Sequence, residues 1–250
     1  MSQVTEPLLQ STGVELIDVR RIRLVEGPPP YVSAEDEAAM NRVWQESVRD
    51  NPLLFDGPVA SCTGLEREGP SELVVTWART TYRYFALRRV PGAASWLPSL
   101  FVSIVQPAED GGLVTGRMSA STAAPGRWQL PGGTVEPPLG REPLDLAALR
   151  RHAARELVEE TGVEADPGDL TLWLVSRGEQ GNVGAVFLAP PLPASVLSER
   201  FAALVAEETA RGCEPEFDRI ALVRSPAQLA GFDGPLADYL EPVVRRYAAL

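Results

Sequence analysis

The chain has 250 residues, of which 44% are hydrophobic, and a formal net charge of −11. This length suits one large domain, or one ordinary domain with a smaller companion. The negative charge argues against a general nucleic-acid or anionic-membrane binder, because the average surface repels phosphate. The sequence contains no Lys, so a phosphate-bearing ligand would have to be held by a metal ion or by local arginines.

The sequence carries no targeting or membrane signal. No stretch reaches the roughly 18 apolar residues of a membrane span, and the N-terminus lacks the pattern of a signal peptide. We therefore expect a cytoplasmic protein with no membrane partner. Cys62 and Cys213 have neither CxxC nor Cys/His spacing, which predicts ordinary thiols rather than a disulfide or a zinc site.

The first part of the chain, residues 1–97, predicts a β-rich module with one helix. Residues 14–25 alternate in part and are rich in β-branched side chains, which predicts one strand. Ser33 is followed closely by three acidic residues, a pattern typical of a helix start. Two further strands are predicted at 59–65 and 72–84, the second of them unusually aromatic.

Turn-forming residues cluster near Pro98 and predict a boundary, with a second domain over residues 98–250. The near-continuous apolar run from Leu100 to Val105 predicts a buried strand. Helical spacing of apolar residues predicts a helix over 144–161 with one buried stripe. The remaining predicted elements are strands at 113–118, 170–176, 183–189 and 218–224 and helices at 198–211 and 236–249.

The end of the predicted helix over 144–161 carries three carboxylates on one flank. At 100° per residue, Glu156, Glu159 and Glu160 occupy an arc of roughly 100°. Carboxylates so close together repel one another, a cost that a purely structural helix has no reason to carry without a cation. Mg²⁺ prefers this oxygen-rich setting, completed by waters and substrate phosphates. The sequence therefore predicts a Mg²⁺ site here, with Mn²⁺ as the alternative.

A longer motif surrounds these carboxylates. Residues 155–163 spell R-E-L-V-E-E-T-G-V, and the pair Gly132 and Gly133 stands upstream. This pattern resembles the Nudix box, G-x5-E-x7-R-E-apolar-x-E-E-x-G-apolar, and by it the chain is identified as a member of the Nudix hydrolases. The resemblance implies an α/β fold of α/β/α sandwich type with a mixed sheet. It also implies metal-dependent hydrolysis of a nucleoside diphosphate linked to another group.

The resemblance also implies roles for individual residues. Glu159 and Glu160 would bind metal, and Glu156 would bind metal or act as the base for water. Arg155 would orient the glutamates through an ion pair, and the carbonyl of Gly133 would join the metal shell. These five residues form the implied catalytic and metal site.

The box departs from the family pattern in its first half. Gly133 and Arg155 enclose 21 residues, eight more than the consensus spacing. Three prolines lie in this stretch, so the insertion lengthens the loop before the helix. The first glutamate of the consensus is therefore ambiguous: Glu136 lies near the glycine pair, and Glu142 follows a Gly-Arg pair. Neither has the consensus distance on both sides, and we slightly prefer Glu142.

Four arginines are candidates for binding substrate phosphate, because the acidic cluster itself cannot hold an anion. They are Arg79, Arg83, Arg117 and Arg127. For each one, an ordinary surface charge is the alternative.

Other side chains allow two interpretations each. Trp128, Trp173 and Phe187 could stack on a base, but aromatic residues in strands usually belong to the core, and we expect that here. His152, the only histidine, could act as a general base, and we expect an ordinary helix residue.

Two short segments bear on the substrate. The sequence N-P-x-L-F-D-G at 51–57 and T-x-Y-R-Y-F at 80–85, with the lengthened box, resemble the UDP-glucose-hydrolysing branch of the family. This implies a UDP-sugar substrate, cleaved to a nucleoside monophosphate and a sugar 1-phosphate. The alternatives are an ADP-ribose or other dinucleotide pyrophosphatase and a non-hydrolytic nucleotide sensor. The expected partner is a small-molecule nucleoside diphosphate substrate, without nucleic acid, and the family's habit makes a homodimer an option.

Overall fold

The computed structural model describes residues 13–93, 95–140 and 142–250, and its strands form three sheets. The strands are β1 (Glu15–Asp18), β2 (Arg21–Glu26), β3 (Pro58–Glu68), β4 (Glu72–Thr81), β5 (Leu100–Val105), β6 (Leu113–Met118), β7 (Trp128–Gln129), β8 (Thr171–Arg177), β9 (Val183–Leu188) and β10 (Phe217–Val223). The helices are α1 (Ala34–Asp50), α2 (Leu146–Thr161), α3 (Ala194–Ala210), α4 (Pro226–Leu229) and α5 (Leu240–Tyr247), with a 3₁₀ helix over Tyr82–Arg89.

A mixed sheet of four strands, in the order β1-β8-β9-β5, forms the centre of the fold. Strands β8 and β9 are antiparallel, whereas β9 and β5 are parallel. Because successive side chains point to opposite faces of a strand, each apolar strand supplies both faces. Ile104 and Phe187 belong to one core with Leu157 of α2, whereas Val105 and Val186 belong to another with α5.

This arrangement of one helix on each face of the sheet confirms the predicted mixed α/β class of α/β/α sandwich type. None of the helices in the described ranges is long and apolar enough to cross a membrane. Cys62 and Cys213 are both free thiols, as predicted.

A second sheet, in the order β10-β6-β7, is antiparallel throughout. Its central strand β6 requires a glycine at Gly116, because a side chain there would collide with the ring of Phe217. Just before β10, the carbonyl of Glu216 accepts a hydrogen bond from the N–H of Ser119 at 2.8 Å. The β6–β10 pairing therefore fixes where Glu216 lies relative to the loop that precedes the glycine pair.

The third sheet, in the order β2-β4-β3, belongs to the N-terminal part. The single strand predicted over 14–25 is wrong, because the chain turns at Val19 and Arg20 and forms two strands. Both Arg20 and Arg21 donate backbone N–H groups to the carbonyl of Ser71 at this turn. Strand β1 then pairs with β8 of the central sheet, while β2 pairs with β4. The predicted domain boundary between residues 97 and 98 stays a prediction. Strand β1 comes from the N-terminal side of this boundary but belongs to the central sheet.

The aromatic strand predicted over 72–84 ends earlier than expected, at Thr81, and continues as the 3₁₀ helix. Tyr84 and Leu87, three residues apart, are buried against Met40 of α1, so packing against α1 replaces further strand pairing. A 3₁₀ helix has three residues per turn, which aligns side chains at i and i+3. Tyr82, Phe85 and Arg88 are therefore on one side of this helix.

Candidate active site

Helix α2 has a well-defined start and end that place its glutamates. The Asp145 side chain accepts a hydrogen bond from the N–H of Ala148 at 2.8 Å and caps the start. Gly162 ends the helix in the left-handed conformation, with φ of 71°. In the last turn and a half, the Glu160 side chain is fully buried, Glu156 is 13% exposed and Glu159 is 56% exposed.

The glycine pair packs directly against these carboxylates. Gly132 has φ of +143°, its N–H donates to Oε2 of Glu160 at 2.5 Å, and a side chain there would collide with the carbonyl of Val102. A side chain on Gly133 would collide with the carboxylate of Glu156. Both positions therefore need glycine so that the loop backbone can approach the end of α2.

Within the described residues, the buried carboxylates of Glu156 and Glu160 have too few hydrogen bonds and positive charges to offset their loss of hydration. Oε1 of Glu160 is buried without a hydrogen-bond partner among them. Burial, then repulsion from Glu216, raises the pKa of Glu160 well above its ordinary value, and the Gly132 N–H only partly opposes this. Burial, then Glu216 and Glu159, raises the pKa of Glu156 to about 8. A cation at this site would offset both the burial of these carboxylates and their mutual repulsion.

Arg155 supplies the nearby positive charge. Its guanidinium lies 3.5 Å from Glu136, 3.7 Å from Glu156 and 3.8 Å from Glu159. At 44% exposure, the Arg155 side chain is at the edge of the carboxylate cluster rather than inside it. This geometry allows Arg155 to orient several carboxylates without neutralising Glu160.

The His152 ring lies between the side chains of Arg155 and Glu156 and contacts both. We expected an ordinary helix residue at this position, with no role in the site. The ring Nδ1 lies 2.7 Å from the Arg155 guanidinium, which can only donate, so the proton of the ring is on Nε2. Nε2 lies 3.1 Å from the carbonyl of Thr134 and 3.2 Å from Oε1 of Glu156. Burial, then the charge of Arg155, lowers the pKa of His152 to about 4 and keeps the ring neutral.

Glu216 is a further carboxylate of the cluster, and the sequence did not predict it. It lies far from the box in sequence, directly before β10, and it lines the same cavity as Glu156 and Glu159. Partial desolvation, then repulsion from Glu159, raises its pKa. The only sequence signal was an acidic Glu-Pro-Glu run, 214–216, before a predicted strand, and that signal has no fixed spacing to the box.

The ambiguity in the lengthened loop is reduced by the structure. Glu136 lines the cavity and contacts Arg155, whereas Glu142 is exposed and is not among the cavity-lining residues. The slight preference for Glu142 is therefore not supported. The carbonyl of Gly133, assigned to the metal shell by resemblance, accepts a hydrogen bond from the N–H of Val102 at 3.0 Å.

A cavity of about 950 Å³ extends from the carboxylate cluster to the N-terminal part of the chain. The carboxylates Glu136, Glu156, Glu159 and Glu216 line one region of it. The N-terminal contribution consists of two segments, with Leu53, Leu54 and Phe55 from the first and Tyr82, Phe85 and Arg88 from the 3₁₀ helix.

Of the four arginines predicted to bind substrate, only Arg127 lines this cavity. Arg79 pairs with Glu26 at 2.7 Å, Arg83 with Asp56 at 3.3 Å, and Arg117 with Asp218 and Asp233 at 2.8 Å each. Each of these three guanidiniums pairs with a carboxylate that does not line the cavity. We therefore do not assign them to substrate binding.

The aromatic residues behave as expected for core residues. Trp128 and Phe187 are buried, and the Trp128 ring packs on Phe232 with centroids 4.1 Å apart. Trp173 packs against the second core and contacts the Tyr247 ring edge-on.

The side chains suit a hard divalent cation in type and burial, although they are not gathered into a ligand shell. In the described ranges no three His, Cys, Asp or Glu side chains stand in a ready metal-ligand arrangement. Oε2 of Glu160 is instead engaged by the Gly132 N–H, while Arg155 contacts the other carboxylates. The unpartnered Oε1 of Glu160 and the mutual repulsion of the glutamates are what a bound cation would compensate.

Comparison with known proteins gives a family for this site. The model of the NUDIX domain matches residues 100–247. Among solved structures, the MutT protein from Methanosarcina mazei Go1 is similar, with 24% identity over 61% of this chain and 94% of that one and a TM-score of 0.42. The E. coli ORF135 protein has 21% identity over 61% of this chain and 91% of its own, with a TM-score of 0.35. No protein of the curated set matches the chain.

A glycine loop packed against a carboxylate-bearing helix end, on an α/β/α sandwich, is an arrangement suited to a metal-dependent hydrolase. The chain belongs to the NUDIX family. It is a Nudix pyrophosphohydrolase, acting on nucleoside diphosphate derivatives, and members of this family generally use divalent metal ions, usually Mg²⁺.

Proposed function

We propose that the protein hydrolyses the diphosphate of a nucleotide sugar of the UDP-sugar type, releasing a nucleoside monophosphate and a sugar 1-phosphate. The observation that carries this proposal is the cavity, whose volume of about 950 Å³ extends well beyond the carboxylate cluster. Its size suits a ligand with a group on each side of the diphosphate.

The position of the N-terminal segments supports the same substrate class. The two segments that resemble the UDP-glucose-hydrolysing branch, 51–57 and 80–85, both contribute side chains to the cavity wall. Asn51 holds the first segment in place by donating to the carbonyls of Ser121 and Thr122 at 2.9 and 3.1 Å. Substrate selection by these segments accounts for their presence beside the site.

Glu156, Glu159 and Glu160 would hold the metal ion, with Glu216 as a further carboxylate. Gly132 is a better backbone candidate than Gly133, because in the described part of the chain its carbonyl accepts only one long hydrogen bond, from the Gln129 amide at 3.5 Å. Bound Mg²⁺ supplies charge neutralisation at the diphosphate and a lowered pKa for a bound water.

The remaining polar groups hold these carboxylates and the substrate. Arg155 orients the glutamates, and His152 fixes both the Arg155 guanidinium and the Glu156 carboxylate. Arg127 has no carboxylate within 4 Å among the described residues, and it donates only to Oε1 of Gln129 at 2.8 Å. We assign Arg127 to a phosphate oxygen of the substrate, where its fork of donors matches the ligand.

A substrate panel tests the proposal. Purified protein with Mg²⁺ is incubated with UDP-glucose, ADP-ribose, NADH, coenzyme A and capped nucleotides, and products are separated by anion-exchange chromatography. We expect the highest kcat/KM for the UDP-sugar, and for the Glu160→Gln variant a kcat/KM that is lower on the order of 1,000-fold. Much faster turnover of ADP-ribose than of every UDP-sugar would contradict the substrate assignment while leaving the enzyme class intact.

We also propose the location, the partners, the oligomeric state and the metal of this enzyme. The composition and family support a cytoplasmic, small-molecule enzyme that does not act on nucleic acid or membranes, and a homodimer remains an option. Mg²⁺ is the proposed metal, with Mn²⁺ as the alternative. Sedimentation of the purified protein measures the oligomeric state.

A further inference from the structure

Arg88 is a desolvated cation without a carboxylate partner in the wall of the substrate cavity. It comes from the 3₁₀ helix of the N-terminal part and lines the cavity with Tyr82 and Phe85. Within the described residues no Asp or Glu oxygen lies within 4 Å of its guanidinium, although Glu179 and Asp238 line the same cavity. Burial lowers the pKa of Arg88, which reflects the loss of hydration around a charge.

The hydrogen bonds of Arg88 do not use its full donor capacity. A guanidinium has five N–H donors. Arg88 makes long contacts to the carbonyl of Leu97 at 3.4 Å and to Gln180 at 3.5 Å, and it also donates to Asn182. All three acceptors are neutral, and its Nε is buried without a hydrogen-bond partner in the described structure.

Aromatic rings hold this guanidinium in place. Its carbon lies 5.4 Å from the centroid of the Phe85 ring and 5.2 Å from that of Trp96. Such contacts fix the orientation of an arginine and compensate part of its charge, but they supply no acceptor for its N–H groups. The group is thus positioned in advance and still has donors to offer.

The Arg88 position is separate from the carboxylate cluster but within reach of the same ligand. Among the described residues no carboxylate of the cluster lies within 4 Å of Arg88, yet Tyr82, Arg88, Arg127 and Glu216 all line the same cavity. Arg127, near the glycine pair, is suited to the diphosphate. Arg88, in the 3₁₀ helix of the N-terminal part, is suited to another part of the substrate.

We propose that Arg88 forms a second anion subsite, which binds a carboxylate or phosphate carried by a moiety beyond the diphosphate. This subsite rests on the proposed function, because the anion would be carried by the substrate that the hydrolase binds in the same cavity. An anion there would accept from the unused donors of Arg88 and provide the missing counter-charge. The substrate would then be a nucleoside diphosphate derivative with an additional acidic group.

Two pairs of nucleotides test the subsite and distinguish the two sources of the anion. UDP-glucuronate and UDP-glucose differ by a carboxylate, and NADPH and NADH differ by a phosphate. For each pair the ratio of kcat/KM values, anionic over neutral, is measured with Mg²⁺ for the wild type and for Arg88→Gln. We expect the wild type to favour the anionic member of one pair, and Arg88→Gln to reduce that ratio roughly 10- to 100-fold.

Matched variants separate this role from a structural one. Arg89→Gln changes the neighbouring exposed arginine, whose one side-chain hydrogen bond within the described residues goes to the Ser47 hydroxyl at 2.9 Å, and should leave the ratio unchanged. Arg88→Lys keeps the charge without the planar fork and should keep part of the preference. Circular dichroism and thermal melting establish that each variant is folded. If Arg88→Gln is unfolded, the Arg88→Lys ratio decides: an undiminished preference overturns the subsite.

Calorimetry with the same four nucleotides distinguishes failure of the subsite from failure of the proposed function. Arg88-dependent preference in binding without any turnover would keep the subsite and reject the hydrolase substrates. Turnover of the nucleotides with equal kcat/KM within both pairs would reject the subsite and keep the hydrolase. Absence of both binding and turnover for all four nucleotides would also overturn the subsite.

Discussion

The two regions of the cavity are built in different ways. The carboxylate region comes almost entirely from one contiguous motif, in which α2 and the glycine pair face each other. Another part of the cavity lining comes from the 51–57 segment, the 3₁₀ helix and the turn between β8 and β9, which are far apart in sequence. On the proposed function, the reacting groups are therefore encoded mostly in one motif, whereas substrate selection depends on segments that only the fold brings together.

The largest expected effect is at the centre of the carboxylate region. Glu160→Gln should lower kcat/KM on the order of 1,000-fold, because on the proposed function it removes a carboxylate that holds the metal ion. Glu164→Gln, an exposed glutamate just beyond the helix, is the matched control and should retain full activity. Hydrolysis of the preferred nucleotide with Mg²⁺ provides the measurement.

The same variant should have the opposite effect on stability. A neutral amide at position 160 keeps the acceptor for the Gly132 N–H but removes a buried carboxylate that other glutamates repel. Without metal, we expect the melting temperature of Glu160→Gln to rise by a few degrees, equivalent to about 1 kcal/mol. Thermal melting in EDTA tests this, and a lower melting temperature than the wild type would show that the cluster is not self-repelling.

The next effect concerns Glu216, which extends the carboxylate region beyond the contiguous motif. Glu216→Gln should lower kcat about 100-fold if this side chain acts on the metal or the attacking water. Glu214→Gln, exposed in the same loop, is the control. Equal activities of the two variants would restrict the reacting groups to α2 and the glycine loop.

A smaller effect is expected at His152, which acts through Arg155 and Glu156. His152→Ala removes the acceptor for Arg155 and the donor near Glu156, and we expect a loss of roughly 10-fold in Mg²⁺ affinity or kcat with KM little changed. Arg151→Ala alters the adjacent exposed position and serves as control. Mg²⁺ titration of activity and of thermal stability would reveal the shift, whereas a loss of folding stability alone would indicate a packing role.

The same contrast explains what the sequence could and could not predict. Helix α2 was predicted to within two residues because its stripe of Leu149, Ala153 and Leu157 and its terminal glycine are local signals. Residues 82–84, the start of the 3₁₀ helix, were predicted as the end of a strand because this stretch is aromatic, whereas packing against α1 gives them a helical turn.

Long-range pairing accounts for the other differences. Glu216 reaches the site only because β10 pairs with β6, and the same pairing brings Arg117 to Asp218 rather than to substrate. Nothing in the spacing of the sequence distinguishes Arg117 from Arg127. The contact partners of isolated charges depend on sheet register, which one sequence does not specify.

The smallest expected effect on activity is in the lengthened loop between Gly133 and Arg155. Glu136→Gln removes an exposed partner of Arg155, whose contact distance is 3.5 Å, so we expect a decrease in kcat/KM of no more than about fivefold. Glu142→Gln should have no effect, because Glu142 is exposed and lies outside the cavity lining. Steady-state kinetics of both variants at saturating Mg²⁺ compare the two positions directly. A larger loss for Glu142→Gln would mean that the loop closes over the site during turnover, and the lengthened segment would then belong to the substrate-selecting region rather than to the carboxylate region.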